Sequence, residues 1–283
     1  MPSEVSLKQM LENGVHFGHR TQKWNPKMQP YIFMARNGIH ILDLQQTIVN
    51  LHRYHDMIVD IVRNGGTVLF VGTKRQAQET VAQQANRCGM PYVNMRWLGG
   101  TLTNWRTIRE RIDALRRLEG RRDKGEFELL TKREAMMLNR EIDKLQERLG
   151  GIREMKKLPD LMVVIDTTRE VTAVKEANTL DIPVLAMVDS NSNPDTIDYI
   201  LPANDDAMRS IQLIVGALAD AVIEGKNLRQ SDHPEDGEGD DENLFPPTTP
   251  EEDDEDGASN ERYLGKSTLA KLRDAALFEE DEE

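Results

Sequence analysis

Four short apolar runs punctuate the chain, at residues 67–71 (TVLFV), 91–95 (PYVNM), 161–166 (LMVVID) and 183–189 (PVLAMVD). Three of them are continuous and not alternating, the pattern of strands covered on both faces. Helical spacing fills the intervals, over 75–87, 169–179 and 205–224, with a further helix over 44–62 ahead of the first run. Strand–helix alternation of this kind predicts an α/β fold with a doubly wound parallel sheet.

One interval breaks the alternation. Between Trp105 and Ile152, where one crossover helix would suffice, two long helical patterns follow each other. The first sets Trp105, Ile108, Ile112 and Leu115 at steps of 3, 4 and 3; the second sets Ala135, Leu138, Ile142, Leu145, Leu149 and Ile152 at alternating steps of 3 and 4. Such a seam is how two antiparallel helices zip into a coiled-coil hairpin, though an ordinary packed pair reads the same way. Thr131 and Glu134 have capping-box spacing at the start of the second helix, and Gly150-Gly151 ends it. The expected organisation is therefore a sheet domain over 1–104 and 153–230, an inserted coiled-coil hairpin over 105–152, and a tail over 231–283.

Composition changes the picture mainly through charge. The formal net charge is −13, yet residues 231–283 carry 20 acidic against 4 basic side chains, so the tail alone accounts for −16. That tail is poor in apolar residues and is expected to be disordered, with one weak helical spacing over 266–278. Residues 1–157 hold 27 basic and 17 acidic side chains, whereas 158–230 hold 5 and 12. A polyanion on the basic side is the natural partner of that asymmetry. The single cysteine, Cys88, excludes an internal disulfide and a cysteine-cluster zinc site. The start of the chain has no signal-peptide pattern and no run is long enough to span a bilayer, so no membrane role and a cytoplasmic location are expected.

Candidate chemistry gathers in three loops. Arg20, Lys23, Lys27 and Arg36 are interleaved with Trp24, Tyr31 and Phe33; cations for phosphates beside rings for exposed bases are the usual combination for structured RNA. Arg96-Trp97-Leu-Gly99-Gly100, leading to Trp105-Arg106, and Thr73-Lys74-Arg75 both follow strands, where backbone N–H groups and glycines approach phosphates. Neither has P-loop spacing, and no GxSxG or HExxH pattern occurs, so a nucleotide- or sugar-phosphate-binding enzyme is the weaker alternative. Asp166 and Asp189 end strands and more often close turns than form a catalytic pair; Asp205 and Asp206 open a helix, where carboxylates commonly cap it. His16 and His19, with Asp189, Asp205 or Asp206 near in space, form the candidate metal set, and zinc is the one cofactor left open.

The segments GVHFGHRTQKWNPKM, LFVGTKRQA, RWLGGTLTNW and PDLMVVIDTTREVTAVKEANTLDIPVLAMVDSNSNPD, followed by DYILPANDDAMRSI, resemble the bacterial small-subunit ribosomal protein S two family in order and over about residues 5–225. The resemblance implies a flavodoxin-like domain with a coiled-coil hairpin, and a non-enzymatic component of the small ribosomal subunit lying between head and body. It implies contact with small-subunit rRNA and neighbouring ribosomal proteins, help in docking ribosomal protein S one, and no homo-oligomer. Residues expected at the rRNA are Arg20, Lys23, Trp24, Lys27, Arg36, Lys74, Arg75, Arg96, Trp97 and Arg106, with Arg116, Arg117, Arg121 and Arg122 of the hairpin adding charge. Zinc seen in some members near the segment matching His16 and His19 keeps that site open. The long acidic tail departs from the family pattern.

Overall fold

The computed structural model describes residues 5–232. The acidic stretch from 233 onward, and with it the helical spacing over 266–278, lies outside the described residues.

Five parallel strands carry the architecture: β4 (Val68–Val71), β5 (Tyr92–Val93), β6 (Leu161–Ile165), β7 (Val184–Val188) and β8 (Tyr199–Pro202), in the order β5-β4-β6-β7-β8. Counted along the sheet domain this is 2-1-3-4-5, the flavodoxin-like order, with the strand order reversing between β4 and β6. The apolar runs are continuous because alternate residues serve opposite faces. Val68, Phe70, Val163, Ile165, Leu185 and Met187 pack against α2 (Leu44–Arg63), α3 (Gln78–Cys88) and α7 (Met208–Asp232). Leu69, Val71, Met162, Val164, Val184, Ala186 and Val188 form the second core, with α6 (Val171–Thr179) and the bases of α4 (Trp105–Asp123) and α5 (Lys132–Leu149). The described α7 ends at Asp232, two residues beyond the expected end of the sheet domain, and Asp232 accepts a 2.6 Å hydrogen bond from Arg63 Nε.

Helices α4 and α5 are the expected pair, and the chain turns back on itself between them through a short 3-10 turn, Glu126–Leu129. Ile108, Ile112 and Leu149 anchor the pair in the second core, while Leu115, Phe127 and Ile142 form a small cluster of their own further out. Arg116 Nη2 donates to the carbonyl of Arg153, and Arg153 Nη1 lies 3.1 Å from a buried Glu119 carboxylate, so the segment after α5 is tied to the outer half of α4. The capping box at Thr131 is present as expected. What the structure supports is a packed helix pair; the buried seam is short.

Two features escape the strand–helix alternation. Strand β8 forms the far edge of the sheet. Ahead of the sheet, β1 (Phe17–Arg20), β2 (Ile32–Arg36) and β3 (Ile39–Leu42) make a separate antiparallel sheet in the order β1-β3-β2, preceded by α1 (Leu7–Glu12). Asn37 and Gly38, both at positive φ (52° and 75°), make the two-residue turn between β2 and β3. Asn-Gly fits because both central positions of such a turn require φ above zero.

Candidate nucleic-acid interface and a closed sheet edge

The small sheet places the basic-aromatic segment. Arg20 of β1 and Arg36 of β2 both pair with Ile39 of β3, and Phe17 and Met34 both pair with Ile41. Residues directly opposite in an antiparallel ladder share a face, so Arg20 and Arg36 flank Ile39 on the side that carries Phe17 and Met34. That side is open: Phe17 is 48% and Met34 47% exposed, and both arginines are exposed. His40 and Leu42 alternate to the other side and are buried. Trp24 is half-buried, its ring tilted against His40 at 5.0 Å. Lys23, Arg75, Arg96 and Arg106 are exposed; Arg106 pairs with Glu110, and Lys27 with Asp195.

The same segment reaches back over the carboxyl ends of the parallel strands. Gly18 has no room for a side chain: a Cβ would lie 2.9 Å from Ser190 Oγ and 3.0 Å from Asp189 Oδ1. His19 N–H donates to Ser190 Oγ, and Asn25 N–H to the carbonyl of Ser190. The His19 ring is held between two carboxylates, Nδ1 at 2.8 Å from Asp189 and Nε2 at 3.3 Å from Asp206. Beside it Lys74 is buried, with Nζ 2.8 Å from Asp205, 2.5 Å from Asp206 and 3.2 Å from Asp166. Lys74 follows β4 and Asp166 follows β6, so their pairing bridges the point where the strand order reverses and where open α/β sheets take their ligands.

Both loops expected to cradle phosphate are filled by carboxylates of this chain. Glu176, buried on α6, accepts from Trp97 Nε1 (3.1 Å), from the N–H groups of Gly100 (2.8 Å), Leu102 (2.9 Å) and Thr103 (3.3 Å), and from the Thr103 hydroxyl (3.3 Å). Glu170 accepts from the N–H of Thr73 at 2.9 Å and from its hydroxyl. These donors are therefore already bonded. Lys74 and Trp97, expected at the rRNA, lie inside the protein: the cation is enclosed by carboxylates, and the indole sits in the second core, 9% exposed. Each reads as a surface group in the sequence because a strand-end loop looks open until its partners, Glu176 of α6 and Asp205 after β8, are known.

Asp205 and Asp206 do not cap α7. Asn204 closes the turn that leads into the helix, its Oδ1 accepting from the N–H groups of Asp206 and Ala207. Asp205 is fully buried, and one of its oxygens, Oδ2, makes no hydrogen bond. Burial, together with Asp166 and Asp189, pushes its pKa up to about 7 against the pull of Lys74. The His19 pKa is raised from 6.5, the hydrogen bond to Asp189 outweighing burial. Asp166 and Asp189 do close strand turns: Asp166 Oδ1 accepts from Thr168 N–H and Asp189 Oδ1 from Ser190 N–H.

These shifts have a sign. A carboxyl whose folded pKa is raised keeps its proton in the fold while the unfolded chain has lost its own. Its contribution is complete below the ordinary aspartate range and is lost as pH rises through about 7. His19, also raised, adds a loss above its ordinary value. In EDTA-treated protein, urea unfolding between pH 5 and 8 is expected to show stability falling with pH, at up to about 1.4 kcal/mol per unit for one proton. Asp205→Asn should flatten that slope; a wild-type slope of the opposite sign would contradict the assignment.

Among the candidate ligands, His19, Asp205 and Asp206 bring one donor atom each within 4.8 Å of one another. Asp189 instead holds the other nitrogen of His19. His16 is not part of the trio; its Nδ1 is buried without a hydrogen bond, and burial lowers its pKa.

Fold and edge together define a flavodoxin-like domain whose ligand-binding edge is occupied by its own carboxylates and whose N-terminal sheet offers a basic, partly apolar face. The chain belongs to the ribosomal protein S2 family, whose model matches residues 10–225. It is 58% identical over 226 residues to the small ribosomal subunit protein uS2 of Lawsonia intracellularis (strain PHE/MN1-00), covering 80% of this chain and 78% of that one. The uS2 protein of Roseiflexus sp. (strain RS-1) is 56% identical over 227 residues, covering 80% and 87%. That of Nitratidesulfovibrio vulgaris (strain DP4) is 55% identical over 234 residues, covering 83% and 92%.

Proposed function

We propose that this chain is a structural, non-catalytic constituent of the small ribosomal subunit in the cytoplasm, that it binds small-subunit rRNA beside other subunit proteins, and that it helps dock ribosomal protein S one. The observation that carries the rRNA reading is the open face of the β1-β3-β2 sheet, where Arg20 and Arg36 flank Ile39 beside Phe17 and Met34. Neither arginine makes an ion pair among the described residues. Lys23, Arg75 and Arg96, exposed and likewise without an ion pair there, extend the charge. On the helix pair, Arg116 and Arg121 are held by Glu154 and Glu126, which reduces what they offer a phosphate. No described helix is long and apolar enough to cross a membrane.

Binding of the purified chain to small-subunit rRNA should weaken steeply with salt, and Arg20→Glu with Arg36→Glu should lower affinity at least about tenfold while reducing the salt slope by about 2. Wild-type chain should co-sediment with washed small subunits from a native lysate; its absence there would overturn the reading.

We further propose a zinc ion at His19, Asp205 and Asp206, in keeping with the observation that three carboxylates surround a single lysine and leave Asp205 Oδ2 unbonded. Imidazole and carboxylate donors suit zinc, which would add positive charge there and fix the N-terminal segment to the sheet edge. Titration calorimetry of EDTA-treated protein with zinc chloride should show one saturable site, lost in His19→Ala. No saturable heat in the wild type removes the site.

A further inference from the structure

One part of the sheet edge is not filled. A cavity of about 390 Å³ opens between the loops that follow β6 and β7, lined by Asn25, Thr167, Thr168, Val171, Val174 and Lys175, with Asn191, Asn193 and Thr196. Its chemistry differs from the rest of the edge. No carboxylate lines it. The oxygens of Asn25 and Asn193 are held by the N–H groups of Lys27 and Asp195, which leaves each amide its NH₂ end as a free donor. Lys175 is exposed and makes no ion pair among the described residues. Thr167 is 6% exposed, and its hydroxyl has no hydrogen-bond partner although it belongs to the cavity wall. A buried hydroxyl without a partner is uncommon and costly. Val171 and Val174 supply an apolar strip along one side.

Donors, one ammonium and an apolar strip, with no acidic group, suit a flat ring joined to a phosphate. We infer that this cavity receives a single unstacked ribonucleotide of the bound RNA, its base against Val171 and Val174 and its phosphate toward Lys175, Asn25 and Asn193. Folded RNA is read at loops and bulges whose bases splay out, and the volume lies within the range of small-molecule sites. Asn25 stands between Lys23 and Lys27, so the cavity opens within the segment assigned above to the rRNA. The inference rests on that reading.

The test uses the full chain with small-subunit rRNA carrying 4-thiouridine, and uridine monophosphate as the separate small probe. Irradiation should yield crosslinks that map to residues 167–175 or 191–196. Lys175→Glu should lower rRNA affinity about tenfold, with Lys175→Gln intermediate, at an unchanged melting temperature. Thr167→Val should lower affinity without loss of stability, since its hydroxyl bonds nothing in the fold. Crosslinks confined to other segments, or variants that bind rRNA like the wild type, overturn the inference while the rRNA reading stands. Saturable binding of uridine monophosphate with no RNA crosslink at the cavity also overturns it, in favour of a free mononucleotide. If the wild-type chain binds no rRNA, both fall.

Discussion

Glu176→Ala is expected to destabilise the protein by about 3–5 kcal/mol, because one carboxylate organises the entire loop from Trp97 to Thr103. Of its five donors, the Leu102 N–H and the Trp97 indole sit where water does not reach, and each orphaned buried donor costs about 1–3 kcal/mol. Gly100 and Thr103 are less enclosed and can turn to solvent, which keeps the total below five full penalties. Glu176→Gln should fall between, since an amide presents an acceptor on one side only. Urea unfolding measures both, and an alanine variant within about 1 kcal/mol of wild type would refute the role. Burial by itself would raise the Glu176 pKa, but the hydrogen bonds from Leu102, Trp97, Gly100 and Thr103 hold it below 4.5. Its contribution is therefore present above the ordinary glutamate range and lost as pH falls through the lowered folded value.

Lys74→Met should be comparably severe, at about 3–5 kcal/mol near neutral pH, because it leaves Asp166, Asp205 and Asp206 facing one another without their cation. Burial opposes the lysine's charge, yet its hydrogen bond to Asp205 and the other carboxylates raise its pKa, so the ammonium stays charged. The deficit should shrink on acidification as Asp205, its pKa pushed up to about 7 by burial, takes up its proton, and denaturant unfolding of both proteins at pH 5 and pH 8 reads this directly. A deficit that is constant with pH would point to lost packing of the lysine stem instead. Its rRNA affinity per folded molecule should match wild type, because Lys74 is enclosed.

These two residues also show where sequence reasoning reaches its limit. Three of the parallel strands, β4, β6 and β7, are legible because burial on both faces leaves unbroken apolar runs, and the helix pair because its seam repeats over many turns. Strand β8 was missed because YILP is short and ends in proline. The N-terminal sheet had a readable signal in Asn37-Gly38 between two apolar stretches, but the density of basic and aromatic residues drew attention to chemistry before pairing. Lys74 and Trp97 look, in sequence, like Arg75 and Arg96 beside them. What separates them is contact with residues about 80 to 130 positions away, and one chain read in order carries no sign of those partners. Arg20 and Arg36 were found, but not their placement on one face across Ile39.

The contacts that seat the N-terminal segment also set an order of events. His19 meets Asp189 and Asp206, and Gly18 meets Ser190, so this segment takes its seat at the sheet edge on loops made about 170 residues later. Until β7 and β8 exist, the basic segment has no seat, and closing so long a loop is slow. For that interval Arg20, Lys23, Lys27 and Arg36 travel on an undocked ribbon, and the carboxylates at the ends of the last strands are what finally bring it to rest.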